Sequence, residues 1–393
     1  MTRYRWAVLA AGTLAQASYS AIWFGVSVLG PALRHRYHLS LGQVGLLIAC
    51  SLAGSTITLV PWGLAADRFG ERSVIGLGLG ASGGLLVAAG NTRGFAALTV
   101  LLFLAGAAGA SVNSASGRAV MHWFGPAERG FALGIRQTAV PLGGFAASLG
   151  LPHASGPGRG FVLLGLGCLG AAALAAAVIH EGPRPAPEAV EMPPLRDRRL
   201  WFLAGGSAFL LAPQMCLVGF TVLFLHEKRG LAPGSAAAVL AGIQVVGIAA
   251  RIAAGRWSDL LRSRIVPLRR IALGSTVLVA ATSALVGAPL AVLLPSLVLA
   301  GGLGMSWNGL SFTAAAELAG EARSGAAIGL QQTVLSVAGA ILPGAFGAVV
   351  DATSWGLGFA LVSLAPLTGF VLLGPLATDE EPAQRRAPRA QPR

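Results

Sequence analysis

The sequence predicts an all-α membrane protein in which twelve transmembrane helices form two pseudo-symmetric bundles of six. Composition is the first reason: of 393 residues, 54% are hydrophobic and only 11% are charged, whereas soluble domains carry about 25% charged residues. The second reason is that apolar runs reach about 20 residues, the length that crosses a bilayer as a helix. The third is an internal repeat, which indicates two related halves.

The repeat joins residues 129–152 to residues 323–343. Within it, Arg136-Gln137-Thr138 aligns with Gln331-Gln332-Thr333, and a Gly-Ile or Gly-Leu pair precedes each. Membrane proteins built from two such halves place their binding site near the bilayer midplane, where the halves meet. We therefore expect substrate specificity where the repeat differs, at Arg136 against Gln331.

Six apolar runs, each bounded by charged residues, glycine or proline, predict the six spans of the first half. They lie at residues 6–33, 43–66, 73–90, 95–123, 129–152 and 160–180. Residues 1–180 are thus the expected N-terminal bundle. Residues 181–199 are rich in proline and charge, which predicts a cytoplasmic linker rather than a span.

The second half repeats the pattern, and residues 200–378 are the expected C-terminal bundle. Its spans are predicted at residues 200–227, 234–258, 268–287, 289–315, 323–350 and 355–377. Residues 379–393 are polar and rich in arginine and proline, and we expect a disordered cytoplasmic tail.

Basic residues set the predicted topology. The net charge of +13 would suggest a nucleic-acid partner in a soluble protein, but most arginines fall between apolar runs. They concentrate on the side that holds both termini, as the positive-inside rule requires of the cytoplasmic side. The preference for Arg over Lys fits a GC-rich bacterial genome. We expect a multi-pass protein of the bacterial inner membrane with both termini in the cytoplasm and no nucleic-acid partner.

Two loops, six spans apart, carry a related pattern of glycine, aspartate and arginine. They read Gly63-Leu-Ala-Ala-Asp67-Arg68-Phe-Gly70-Glu71-Arg72 and Gly255-Arg256-Trp-Ser-Asp259-Leu-Leu-Arg262. This pattern resembles the signature loop of the major facilitator superfamily, and the resemblance extends over the whole chain. It implies that Asp67, Arg68, Arg72, Asp259 and Arg262 form a conformational gate. The alternative is a positive-inside loop without a gating role.

Arg136 and Arg251 are the charges predicted to lie inside the membrane. Arg136 is seven residues from Arg129, about 10 Å along a helix, and Arg251 is eight residues from Asp259, about 12 Å. An arginine at such depth costs about 2.5–3.5 kcal/mol and normally faces a cavity. Two such cations outline an anion site, and the planar guanidinium suits carboxylates. Alternatively, backbone carbonyls or snorkelling to the surface satisfy each arginine.

Resemblances within the superfamily point the same way. The stretch around Arg136 and the Ser306-Trp307-Asn308-Gly309 sequence are similar to the cyanate and nitrate permease branch. The sequence around Arg251 is similar to the organic-anion and monocarboxylate branches, which implies that this arginine binds a carboxylate.

The acidic residues decide between anion transport and drug efflux. All fifteen Asp and Glu residues lie in loops or near span ends, so no carboxylate at a span centre neutralises the arginines or relays protons. An arginine early in the fourth span, expected of proton-coupled exporters, is also absent. Multidrug or metabolite efflux stays as the alternative because Val140-Pro141-Leu-Gly143-Gly144 partly matches an exporter motif.

Uncharged polar residues inside the spans are further candidates for substrate contact. Each could instead form an interhelical hydrogen bond or, for the aromatic residues, pack in the bundle. The candidates are Tyr19, Trp23, Asn113, Gln137, Gln214, Gln244, Trp307, Asn308, Gln331 and Gln332.

We therefore predict a secondary active transporter that moves a small organic or inorganic anion by alternating access, with the anion held between Arg136 and Arg251. Exchange, or symport of the anion with a proton, is the expected coupling. Neither an enzyme signature nor a metal or cofactor motif is present, and we expect a monomer in the bilayer. A sensor of transporter descent is a second alternative, which the paired gating loops disfavour.

Overall fold

The computed structural model describes residues 4–124, 132, 135–180, 197–319 and 324–377, without the side chains of residues 67, 118, 120–122 and 324–326. Within these ranges the chain is helical and contains no strand. The helices of the first part are α1 (Tyr4–Tyr37), α2 (Leu41–Phe69), α3 (Glu71–Gly90), α4 (Phe95–Gly109), α5 (Ser111–Trp123), α6 (Ala139–Gly150) and α7 (Pro157–Val178).

The helices of the second part begin at the end of the predicted linker. They are α8 (Arg198–Pro213), α9 (Gly219–Leu223), α10 (Pro233–Leu261), α11 (Ile265–Ala284), α12 (Leu290–Leu303), α13 (Asn308–Ala319), α14 (Ser324–Ala352) and α15 (Trp355–Leu372). Two π-helical turns, Gln214–Val218 and Phe224–Lys228, flank α9. The predicted linker, apart from its last three residues, and the predicted tail lie outside the described residues.

Ten helical segments of the described chain are long and apolar enough to cross a membrane. They account for ten of the twelve predicted spans. The predicted first span coincides with α1, which has 34 residues. The predicted fifth span corresponds to residues 135–138 and α6, and its beginning falls on residues that the structure does not describe.

Helix boundaries follow local chemistry. Ser40 caps α2 with a capping box: its hydroxyl accepts from Gln43 N–H while the Gln43 side chain accepts from Ser40 N–H. Gly70 separates α2 from α3 with a φ of 83°, a conformation that residues with a Cβ rarely adopt. The signature glycine of the first loop is therefore required by the backbone.

The chain divides into two compact units. The first contains residues 1–188, 215–245 and 339–358, and the second contains residues 189–214, 246–338 and 359–393. In the first unit, glycines let helices pack backbone to backbone. A Cβ on Gly83 of α3 would lie 2.8 Å from Gly165 O, and a Cβ on Gly165 of α7 would lie 2.6 Å from Gly83 O.

The later segments of the first unit pack against α1 and α2. Arg34 forms an ion pair with Glu227, and Asp351 Oδ2 accepts from Gly42 N–H at 2.8 Å, at the start of α2. A Cβ on Gly45 would overlap Pro343 O. Residues far apart in the sequence are thus joined by an ion pair, a helix-capping carboxylate and a close backbone contact.

The second unit contains a break that the sequence analysis did not predict. A continuous span was expected at residues 289–315, but α12 ends at Leu303 and α13 begins only at Asn308. The break lies inside a single apolar segment, Leu290–Ala319, that is long enough to cross a membrane. Non-helical backbone at membrane depth must be satisfied by other groups or line a cavity, which makes this segment a candidate functional feature.

Candidate functional site

Arg136 lies at the centre of a polar cluster in the first unit. Its Nε donates to Ser116 Oγ at 2.8 Å, and its Nη2 donates to Gln16 Oε1 at 3.2 Å and to Asn113 O at 3.0 Å. The residue is only 9% exposed. Three neutral oxygens from α1 and α5 therefore hold the guanidinium. Neutral oxygens satisfy hydrogen bonds but do not cancel the charge.

Arg251 contacts the break between α12 and α13 in the second unit. Its Nε and Nη2 both donate to Met305 O, at 3.2 and 3.0 Å. One turn earlier on α10, a Cβ on Gly247 would lie 3.0 Å from Met305 Sδ. Gly247 thus lets α10 approach closely enough for Arg251 to reach the main-chain carbonyl.

Gln331 has partners like those of Arg136, but in the second unit. Its Nε2 donates to Ser207 Oγ at 3.0 Å and also to Ser311 Oγ, and the two hydroxyls are 2.6 Å apart. The residue is 1% exposed. Gln331 therefore joins three helices, α8, α13 and α14, by hydrogen bonds.

The serines of both clusters were not predicted from the sequence. Ser116 precedes Arg136 by 20 residues, and Ser311 precedes Gln331 by the same interval. Each serine is the last residue of a short motif that occurs twice in the chain, and this repeated motif could have revealed both. Its two copies, 195 residues apart, are Gly109-Ala-Ser111-Val-Asn113-Ser-Ala-Ser116 and Gly304-Met-Ser306-Trp-Asn308-Gly-Leu-Ser311.

Three of the predicted polar contacts have buried amide atoms that lack a hydrogen-bond partner within the described part of the chain. They are Gln214 Oε1, Asn308 Oδ1 and both amide atoms of Gln244. Gln244 is completely buried, and its Nε2 abuts Gly144 of α6 within the first unit. Leaving such a group unpaired costs about 1–3 kcal/mol, so each of these positions is a candidate for a ligand contact or for a conformation that relieves the cost.

Other predicted contacts are hydrogen-bonded or packed within the protein. Tyr19 donates to Gly106 O at 3.3 Å, Trp307 Nε1 donates to Gly304 O at 3.0 Å, and Gln332 Nε2 donates to Ser336 Oγ at 3.3 Å. The Trp23 ring stacks on Phe24 with centroids 3.8 Å apart. Gln137 is half-buried.

The two predicted gating loops differ in what the structure describes. Arg68 and Arg72 are exposed, and the side chain of Asp67 lies outside the described part. In the second loop, Asp259 Oδ1 accepts from Arg264 Nη1 at 2.5 Å.

Arg264 was not singled out from the sequence. Its Nε also donates to Glu317 Oε1 at 3.1 Å. Partial burial by itself lowers the pKa of Arg264, but the hydrogen bond with Asp259 and the charge of Glu317 outweigh it, so the pKa is raised. Arg264 is thus a further candidate for the gate.

The ten membrane-length helical segments of the described chain indicate a polytopic membrane protein. The sequence profile of the Major Facilitator Superfamily matches residues 12–343. The chain belongs to this superfamily and is a transporter, not an enzyme.

Relatives and solved structures agree with this assignment. An uncharacterized MFS-type transporter of Mycobacterium tuberculosis is 32% identical over 378 residues, which cover 94% of this chain and 84% of that protein. A protein of Cupriavidus necator named as a probable sulfoacetate transporter is 26% identical over an alignment that covers 92% of this chain and 91% of that protein. The crystal structure of a bacterial homolog of the human lysosomal transporter Spinster, inward-facing and occupied, superimposes with a TM-score of 0.79 at 18% identity, covering 98% and 97% of the two chains.

Proposed function

We propose that the protein moves a small organic anion across the bacterial inner membrane by alternating access, and that Arg136 and Arg251 are the cationic residues that act on the anion. The observation that carries the proposal is that the buried Arg136 guanidinium donates to three neutral oxygens, those of a hydroxyl, an amide and a carbonyl. Arg251 also donates to a main-chain carbonyl. A carboxylate forms stronger, charge-assisted bonds to arginine than these acceptors do.

The relative named as a sulfoacetate transporter supports this class of substrate. Sulfoacetate is a small anion with a carboxylate at one end and a sulfonate at the other. The similarity to this relative covers nearly the whole of both proteins. We take compact anions with one or two acidic groups as the first substrates to test.

Among the uncharged candidates, we propose Gln214, Gln244 and Asn308 as substrate contacts, since each has buried amide atoms without a partner within the described residues. Tyr19, Trp307, Gln331 and Gln332 already form hydrogen bonds with the protein. A structural role is the simpler assignment for these four. Trp23, Asn113 and Gln137 stay as candidates that line the substrate path.

For the architecture, we propose the full set of twelve spans in two bundles, residues 1–180 and 200–378, joined by residues 181–199 and followed by the tail 379–393. Both termini are placed in the cytoplasm, and the protein acts as a monomer. The ten membrane-length segments and α1 support the count. Exchange of anions, or symport with a proton, is the proposed coupling.

For the gate, we propose that Asp67, Arg68 and Arg72 in one loop, and Asp259 and Arg262 in the other, hold one conformation of the cycle. The ion pair of Asp259 with Arg264 supports a charge cluster at the second loop.

The test is thermal unfolding of the detergent-purified protein with sulfoacetate, malonate and glucuronate, with tetraphenylphosphonium as a lipophilic cation. A ligand at a hundred times its Kd stabilises the folded state by about 2.7 kcal/mol. We expect stabilisation by at least one anion, lost in Arg136→Gln and in Arg251→Gln. Stabilisation by tetraphenylphosphonium alone, unchanged in both variants, would favour efflux of cationic drugs and refute the proposal.

A further inference from the structure

Arg136 has hydrogen-bond donors that no described residue accepts. An arginine side chain carries five N–H donors. Nε donates to Ser116 Oγ, and the two N–H groups of Nη2 donate to Gln16 Oε1 and Asn113 O. The two N–H groups of Nη1 are left, and they have no acceptor among the residues that the structure describes. The guanidinium is therefore able to bind a further group through Nη1.

The contact with Arg136 also fixes the orientation of the Gln16 amide. An arginine donates hydrogen bonds and cannot accept them. The oxygen of the Gln16 amide, and not its nitrogen, must therefore face the guanidinium, and Oε1 lies 3.2 Å from Nη2. This contact is the one hydrogen bond of the Gln16 side chain within the described part of the chain. The two N–H groups of Nε2 are thus also left without an acceptor there.

Gln16 lies well inside the first predicted span. It follows Tyr4, the first residue of α1, by 12 residues, which corresponds to about 18 Å along the helix axis. The residue is only 3% exposed. Lipid offers no acceptor at such a depth, and polar side chains there usually form hydrogen bonds across helices. A ligand that enters the bundle can supply the acceptor that Nε2 lacks.

The two free donor groups belong to one hydrogen-bonded pair. Oε1 and Nε2 are part of one amide, and Nη1 and Nη2 are part of one guanidinium, so both free groups lie next to the bond that joins Gln16 to Arg136. The nearest described atom to the position of a Cβ on Gly117 is Arg136 Cζ, at 3.8 Å. At Gly117, α5 thus has no side chain that would cover the guanidinium, which leaves this side open to a small ligand.

We propose that Gln16 binds the substrate directly, together with Arg136. One oxygen of the substrate's carboxylate or sulfonate group accepts from Nη1 of Arg136, and a second oxygen accepts from Nε2 of Gln16. Because Gln16 is neutral, it adds donors for the anion and leaves the charge of Arg136 uncancelled. Gln16 was not predicted from the sequence. This inference rests on the proposed function and specifies which side chain holds the second oxygen of the substrate.

Ser116 provides a matched control. Ser116 and Gln16 each accept one hydrogen bond from Arg136, so removing either side chain loosens the guanidinium. A serine hydroxyl has a single hydrogen to donate, and Ser116 Oγ donates it to Val112 O. Ser116 therefore has no donor for the anion. An effect of Gln16 that exceeds the effect of Ser116 measures the contact with the substrate.

The test compares Gln16→Met with Ser116→Ala. Methionine has nearly the length of glutamine but no N–H group. Sulfoacetate, malonate and glucuronate are titrated against both variants by calorimetry. Loss of a hydrogen bond to a charged group should weaken the binding of an anion by about ten-fold or more in Gln16→Met relative to Ser116→Ala. Malonamide, the neutral analogue of malonate, should bind the wild-type protein far more weakly than malonate, and equal binding would refute an oxyanion site.

The outcomes separate this inference from the function on which it rests. If an anion binds the wild-type protein and is lost in Arg136→Gln, but binds Gln16→Met and Ser116→Ala with equal affinity, Gln16 does not contact the anion and the proposed function stands. If none of the three anions binds the wild-type protein, both fail. Should Gln16→Met not fold, Gln16→Glu keeps an acceptor for Arg136 but presents a carboxylate to the anion. We expect binding to be lost in Gln16→Glu, and wild-type affinity there would also refute the contact.

Discussion

Replacing Arg136 by glutamine tests whether the two polar clusters are equivalent. Gln331 occupies the corresponding position in the repeat and donates to Ser311 as Arg136 donates to Ser116. A glutamine should therefore be able to bond to Ser116 from the same helix position. Leucine at the same position fills similar space near the backbone but can form no hydrogen bond, which makes it the matched control.

The expected stability change is small because two effects oppose each other. Arg136 forms three hydrogen bonds, and interhelical bonds in membranes average about 0.6 kcal/mol, so their loss costs about 2 kcal/mol. Removing an arginine from the membrane interior recovers up to about 2.5–3.5 kcal/mol. Arg136→Gln should thus lie within about 1.5 kcal/mol of the wild-type protein. Arg136→Leu leaves the buried Gln16 Oε1 without its donor, at about 1–3 kcal/mol, while Ser116 Oγ keeps its bond to Val112 O.

Thermal unfolding in detergent and anion uptake into proteoliposomes are the two assays. One kcal/mol corresponds to about 2–4 °C in domains of 150–250 residues. We expect Arg136→Gln to unfold within a few degrees of the wild-type protein, Arg136→Leu to unfold earlier, and uptake to be lost in both. If Arg136→Gln unfolds as early as Arg136→Leu, the two clusters are not equivalent. If it transports at the wild-type rate, the cation is not required.

Two further predictions concern the first unit. Gly45→Ala should destabilise the protein by about 1–3 kcal/mol, since its Cβ would overlap Pro343 O, whereas Gly42→Ala meets only ordinary contacts at 3.5 Å; equal melting temperatures for the two variants would contradict this. Gln244→Leu should raise the free energy of unfolding by about 1–3 kcal/mol, because it removes two buried amide atoms that have no partner among the described residues, and it should slow transport. A lower melting temperature would show that the amide is satisfied in the folded protein.

The sequence was sufficient for the membrane class, the placement of most spans and the repeat. Hydropathy over about 20 residues is a local property, because the bilayer requires each segment to be apolar over its own length. Gly70 was part of the motif of the first predicted gating loop, but its positive φ, which favours glycine, was found only in the structure. The two arginines were identified for the same local reason, a charge within an apolar run.

The hydrogen-bond partners of those arginines could be identified only from the tertiary structure. Gln16 is 120 residues from Arg136 in the chain, and no periodicity links the two. The pairing of Asp259 with Arg264 likewise depends on which helix faces which. The same holds for Gln214 Oε1 and the Gln244 amide, which have no partner among the described residues.

The break at residues 304–307 shows the same limit most clearly. By hydropathy the segment is one continuous span, and its sequence contains no proline at the break. What stabilises the break is the guanidinium of Arg251 on Met305 O, a contact between residues 54 positions apart. The sequence by itself determined that an arginine lies within an apolar span. Only the packing of α10 against the break decided that this arginine donates to a main-chain carbonyl. A hydrogen bond between helices that are distant in the sequence depends on how closely they pack, not on local sequence.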